Sequence, residues 1–133
     1  MKTKTLFITL ILSLLAITSC NTVKEIPSNL TADQMLQFGQ NAYSDGDYTY
    51  AEKIYLSTIE KFGDDPLIYI ETRYELGHLY LKTKDYKKAE INFKEILDIF
   101  NKVPKGSLPP AYKKLAQNGL EAIKNVNTNT ENK

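Results

Sequence analysis

Along two stretches of the chain, apolar side chains recur at steps of three and four, with polar residues between them. The first carries Tyr48, Ala51, Tyr55, Thr58, Ile59 and Phe62; the second carries Tyr86, Ala89, Phe93, Ile96, Leu97 and Phe100. That spacing gathers each set on one face of a helix. A third stripe, Tyr112, Leu115, Ala116, Gly119 and Ile123, stands opposite Lys113, Lys114, Gln117, Asn118, Glu121 and Lys124. It predicts another amphipathic helix within LPPAYKKLAQNGLEAIKNV. No strand-like alternation of comparable length occurs, so the pattern predicts an all-α domain.

Boundary signals set the remaining elements. Thr31 followed by Gln34 is a capping-box pattern, flanked by Leu30 and Met35 as a hydrophobic staple. A first helix is expected from about Ala32 to Asp45, with Gly46 where the chain must turn. Asp47 and Asp85 precede two further helices and are placed to accept hydrogen bonds from first-turn amides. Asp65-Pro66 opens another helix, proline being tolerated in a first turn. NKVPKGS reads as a loop.

The matching residues repeat at a fixed offset of 38: Asp47 with Asp85, Tyr48 with Tyr86, Ala51 with Ala89, Glu52 with Glu90, Tyr55 with Phe93. Gly39 likewise matches Gly77. A helical glycine costs about 1 kcal/mol relative to alanine. Two at one repeat position imply close approach of a neighbouring helix. One helical hairpin cannot bury its own apolar face, and a second stacked beside it supplies the partner.

This repeat, a glycine, then G/K-D-Y-x-x-A, then an aromatic four residues on, resembles the tetratricopeptide repeat (TPR). The resemblance covers about Ala32 to Asn101. It implies an α-solenoid of antiparallel helical hairpins: two TPR-like units and a C-terminal capping helix. Gly39, Tyr48, Ala51, Tyr55, Gly77, Tyr86, Ala89 and Phe93 fall at repeat-packing positions. The chain departs from the family where Met35 and Arg73 replace an aromatic residue and where Lys84 replaces the turn glycine. In such repeats partners lie along the concave surface of the leading helices. Transferred residue by residue, that surface takes Gln37, Gln40 and Tyr43, then Tyr74, Glu75, His78 and Lys82, with Lys113 and Gln117 added by the last helix. The family's carboxylate clamp is not matched, because Leu36, Gln40, Tyr74 and His78 stand at its positions.

The beginning of the chain changes the picture. Lys2 and Lys4 precede an apolar run from Leu6 to Ile17, too short to span a bilayer. This is the layout of a secretory signal. Ile17-Thr18-Ser19-Cys20 resembles the bacterial lipobox, which implies cleavage before Cys20 and acylation of its thiol. Cys20 is the single cysteine among 133 residues, so no intrachain disulfide can form. The expected organisation is a signal over 1–19, a lipidated tether over 20–31, a TPR-like domain over 32–126 and a disordered tail over 127–133.

Losing Lys2 and Lys4 takes the formal charge from +1 to −1. No basic cluster is present, so nucleic acid is not expected as a partner. His78 is the lone histidine and metal-ligand motifs are absent, which argues against an enzyme, a metal site or a cofactor. The expected function is a lipid-anchored scaffold for protein partners in a bacterial envelope, on the periplasmic face of the outer membrane. The order of features resembles the lipoprotein of the β-barrel assembly machinery, the BamD-like group, in its amino-terminal part. The alternatives are an envelope or division coordinator similar to the TPR protein of the Tol system, and a small-ligand-binding lipoprotein of a transporter.

Overall fold

The structure is a computed structural model and describes residues 24–131; the signal segment, Cys20 and the last two residues lie outside it. It is all-α, and no strand occurs among the described residues. Five helices follow in order: α1 (Ala32–Ser44), α2 (Tyr48–Phe62), α3 (Pro66–Lys82), α4 (Tyr86–Lys102) and α5 (Pro110–Glu131). Each packs against the next in sequence. In addition α1 touches α3 and α3 touches α5, while the backbones of α2 and α4 stay apart and only long side chains reach between them. The odd-numbered helices therefore share one continuous face.

The helices begin where the side chains say they should. Thr31 accepts from the Gln34 amide at 3.3 Å and its own amide donates to Gln34 Oε1 at 2.9 Å. Asp47 accepts from Tyr50 N, Asp85 from Lys88 N, and Asp65 from Leu67 N and Ile68 N. The three-residue turns behind Asp47 and Asp85 are built alike, down to a left-handed residue in each. That residue is Gly46 (φ 79°) in the first and Lys84 (φ 63°) in the second. A left-handed residue with a Cβ is strained where glycine is not. Lys84→Gly is therefore expected to stabilise the domain by about 0.5–1 kcal/mol, net of glycine's extra freedom in the unfolded chain. Thermal unfolding followed by circular dichroism checks the sign.

Ala51, Tyr55, Ala89 and Phe93 are fully or almost fully buried, whereas Tyr48 and Tyr86 are half-buried against the core. The glycines explain the intimacy of the hairpins. A Cβ on Gly39 would collide with the Tyr55 ring, and one on Gly77 would lie 2.6 Å from Phe93 Cε1. Gly119 of α5 meets the opposite edge of the same Phe93 ring. Phe93 thus lies between two bare stretches of helix backbone, which locks α3, α4 and α5 together.

Two polar clusters break the repeat symmetry. Met35 and Ile54 are both completely buried in the first unit; Arg73 and Asn92 occupy the equivalent places in the second. Arg73 Nη1 donates to Asn92 Oδ1 at 3.0 Å, and its guanidinium lies 4.9 Å from the Tyr69 ring centre. Elsewhere Tyr80 Oη donates to Glu52 at 2.5 Å, and Lys88 reaches the same carboxylate at 3.3 Å, tying α2, α3 and α4.

Two boundaries expected from sequence need correction. Residues 24–30, read as part of a tether, lie along α2. Lys24 pairs with Asp47 at 2.6 Å, Tyr50 Oη donates to the Glu25 carbonyl, and Lys53 and Lys61 donate to the carbonyls of Lys24 and Ser28. Ile26 and Leu30 pack against the core. A polar sequence without periodicity hid these contacts, because three of them use backbone carbonyls and the segment is too short and irregular to show a stripe. The second correction concerns the tail expected from residue 127: α5 continues to Glu131. No glycine or proline follows Gly119 to stop it, and Thr128 Oγ1 donates back to the Asn125 carbonyl at 3.0 Å.

Candidate functional site

The shared face of α1, α3 and α5 carries a ribbon of rings. Tyr43 lies 5.3 Å from Tyr48 and 5.5 Å from His78 between ring centres. His78 stacks on Tyr74 at 6.2 Å, and Tyr74 meets Tyr112 edge-on at 6.1 Å. Helical spacing explains the layout. Tyr74 and His78 are one turn apart on α3, the middle helix, so they bridge α1 on one side and α5 on the other.

Two carboxylates run beside the rings. Glu75 accepts from Gln40 Nε2 at 2.9 Å, joining α3 to α1, and Glu71 accepts from Tyr112 Oη at 2.9 Å, joining α3 to α5. Both are half-buried. Among the described residues neither takes part in an ion pair. Below them is Tyr55, whose ring is completely buried and whose hydroxyl has no hydrogen-bond partner.

The phenols respond to this setting. Burial, foremost, then the hydrogen bond to Glu71 and the charges of Glu71 and Glu75, push Tyr112 well above its ordinary pKa. Burial, then the Glu75 charge and Tyr43, does the same to Tyr55, and burial with the Glu52 hydrogen bond does so to Tyr80. A raised phenol pKa means that the fold favours the neutral form. That contribution is complete below the ordinary value of 10.0 and is lost as pH climbs through the raised values. Helicity is expected to hold up to pH 10.0 and then fall together with a cooperative rise in tyrosinate absorbance. Independent, non-cooperative titration of the tyrosines would contradict it.

Of the residues expected on this surface, Gln40, Tyr43, Tyr74, Glu75 and His78 come together in the ribbon. Gln37 instead donates to Asn41 on its own helix at 3.0 Å. Lys82, Lys113 and Gln117 are exposed, and no hydrogen bond, ion pair or ring contact joins them to the ribbon. Sequence reasoning missed Glu71 and the part taken by Tyr112. Tyr112 was legible only as an aromatic residue on the apolar stripe of the last helix, and nothing in the sequence distinguishes Glu71. Cys20 lies outside the described residues.

Chemically, the ribbon offers π faces, hydrogen-bond acceptors and negative charge, with no nucleophile held against a base. No group of three His, Cys, Asp or Glu among the described residues could hold a metal ion. No helix among them is long and apolar enough to cross a membrane. A separate open groove of about 440 Å³ lies between Ile26 and α2, lined by Thr49, Glu52, Lys53, Leu56, Ser57 and Glu60.

No family model matches the chain, and no solved structure matches it. It is similar to an uncharacterized protein of Treponema pallidum (strain Nichols), 27% identical over 110 residues. That stretch is 82% of this chain but 44% of the relative, so the chain spans less than half of that protein's length.

Proposed function

We propose that the chain is a non-catalytic adaptor of TPR type, anchored to a bacterial envelope membrane through acylated Cys20, that docks polypeptide segments on the α1–α3–α5 face. One observation carries this reading: the unbroken run of Tyr43, His78, Tyr74 and Tyr112 across three helices, with Gln40, Glu75 and Glu71 beside it. Rigid aromatic area with hydrogen-bonding groups is the composition of interface cores. Support for the repeat assignment comes from the Gly39–Tyr55 and Gly77–Phe93 contacts, which recur at the same 38-residue step as the sequence motif. In this arrangement the ribbon lines the concave side. The process we favour is outer-membrane β-barrel assembly, on the resemblance of the anchor-plus-repeat order to the BamD-like group.

Photo-crosslinking amino acids placed at Tyr74 and His78 in intact cells test the docking face. A discrete adduct is expected from these sites and not from Lys87, which is exposed on α4. Equal yields from both faces would remove the reading. Mass spectrometry of the mature N-terminus tests the anchor separately, with Cys20→Ala expected to abolish the acyl mass and membrane retention.

A further inference from the structure

We infer that the centre of this face is a receptor for an arginine side chain, carried by the docked segment of a partner protein. The inference rests on the docking reading above and names the chemistry of the occupant. Glu71 and Glu75 are one turn apart on α3, so their carboxylates repel each other across a single helical step. Each has one neutral donor, Tyr112 Oη and Gln40 Nε2, on one oxygen. Neither is paired with a cation among the described residues, although both are half-buried. A structural carboxylate in that situation ordinarily acquires a lysine or arginine; here the cation is left to be supplied from outside.

The surroundings select its type. Tyr43, His78, Tyr74 and Tyr112 form a contiguous run of rings on the same face, and Tyr112 is hydrogen-bonded to Glu71 itself. A planar guanidinium stacks on such rings while donating in two directions, to Glu71 on one side and Glu75 on the other. An ammonium gains the charge term but not the fork of donors or the stacking. The Tyr55 hydroxyl bears on the Glu75 carboxylate from beneath the face. It is buried with no hydrogen bond of ordinary length, and after burial itself the Glu75 charge is what holds its proton on most strongly.

The test uses the full mature chain in detergent and blocked nonapeptides in an alanine–glycine background, with binding followed by NMR shifts of the tyrosine and His78 rings. The peptides carry one central arginine, lysine, citrulline or glutamate. Citrulline keeps the shape of arginine and removes the charge. The arginine peptide is expected to bind at least tenfold tighter than the citrulline and glutamate peptides, and measurably tighter than the lysine peptide. Glu71→Gln and Glu75→Gln should each weaken arginine binding about tenfold while leaving thermal stability unchanged or slightly raised, because the repulsion within α3 is relieved. A variant that loses stability as well as binding marks a structural carboxylate and overturns the inference. If the citrulline or glutamate peptide shifts the same rings equally well, the face docks polypeptide but not through arginine, and only this inference falls. If no peptide shifts them, both readings fall.

Discussion

Phe93→Ala is expected to destabilise the domain by about 3–5 kcal/mol, the range for emptying a buried phenylalanine site. Phe93 is 1% exposed and sits between Gly77 of α3 and Gly119 of α5. Removing the ring opens a void bordered by backbone on two sides. Helix backbone cannot relax inward as side chains can, so the cost should fall at the upper end. Urea unfolding monitored by circular dichroism gives the value. The reverse change sharpens the assignment. Gly119→Leu in the natural background forces a side chain into the ring and should cost about 1–3 kcal/mol through overpacking. Combined with Phe93→Ala, the same leucine has a space to enter, and the double variant should be more stable than Phe93→Ala alone. Simple additivity of the two losses would show that Phe93 and Gly119 are not in contact.

The second large effect concerns Arg73 and Asn92. Asn92 is 4% exposed; its Oδ1 accepts from Arg73 and its Nδ2 donates to the Lys88 carbonyl at 2.9 Å. The Arg73 Nε is buried without a hydrogen-bond partner. Arg73→Met strands the asparagine oxygen, and Asn92→Ile strands the guanidinium. Each is expected to cost about 1–3 kcal/mol, the penalty for an abandoned buried polar group. Together they reproduce Met35 and Ile54, the fully buried apolar pair at the equivalent positions of the first unit. Replacing both partners is often neutral or stabilising. The double variant should therefore equal or exceed the natural protein in stability, giving a favourable coupling of at least about 2 kcal/mol in a double-mutant cycle. A double variant as unstable as the two singles combined would mean that this pocket does not resemble its counterpart.

Much of the architecture was legible because capping and close packing are local or periodic. Thr31 with Gln34, Asp47, Asp65 and Asp85 each announce a helix start through one side chain, and each makes the expected bond. Gly39 and Gly77 announced close approach through their cost in a helix, though not which ring they meet. The last helix was less readable. The repeat step from Gly77 lands on Leu115, which is 36% exposed, while the glycine that meets Phe93 is Gly119, one turn further on. The longer connection between α4 and α5 shifts the register, and period alone cannot count that. On the candidate face, aromatic residues stood out by type, but Glu71 did not. Its place beside Tyr112 arises from how α5 crosses α3, a tertiary fact with no trace in the local sequence.

The docking of residues 24–30 along α2 fixes a height. With acyl chains on Cys20, only residues 21–23 separate the lipid from Lys24, which is clasped to Asp47 at the start of α2. Whatever path they take, covalent geometry allows at most about 14 Å from Cys20 to Lys24. The end of the bundle bearing the turns at 45–47 and 83–85 would then ride just above the headgroups, and the turn at 63–65 would point away. If the proposed anchor holds, a protein engaging the ribbon would have to meet it close to the bilayer surface.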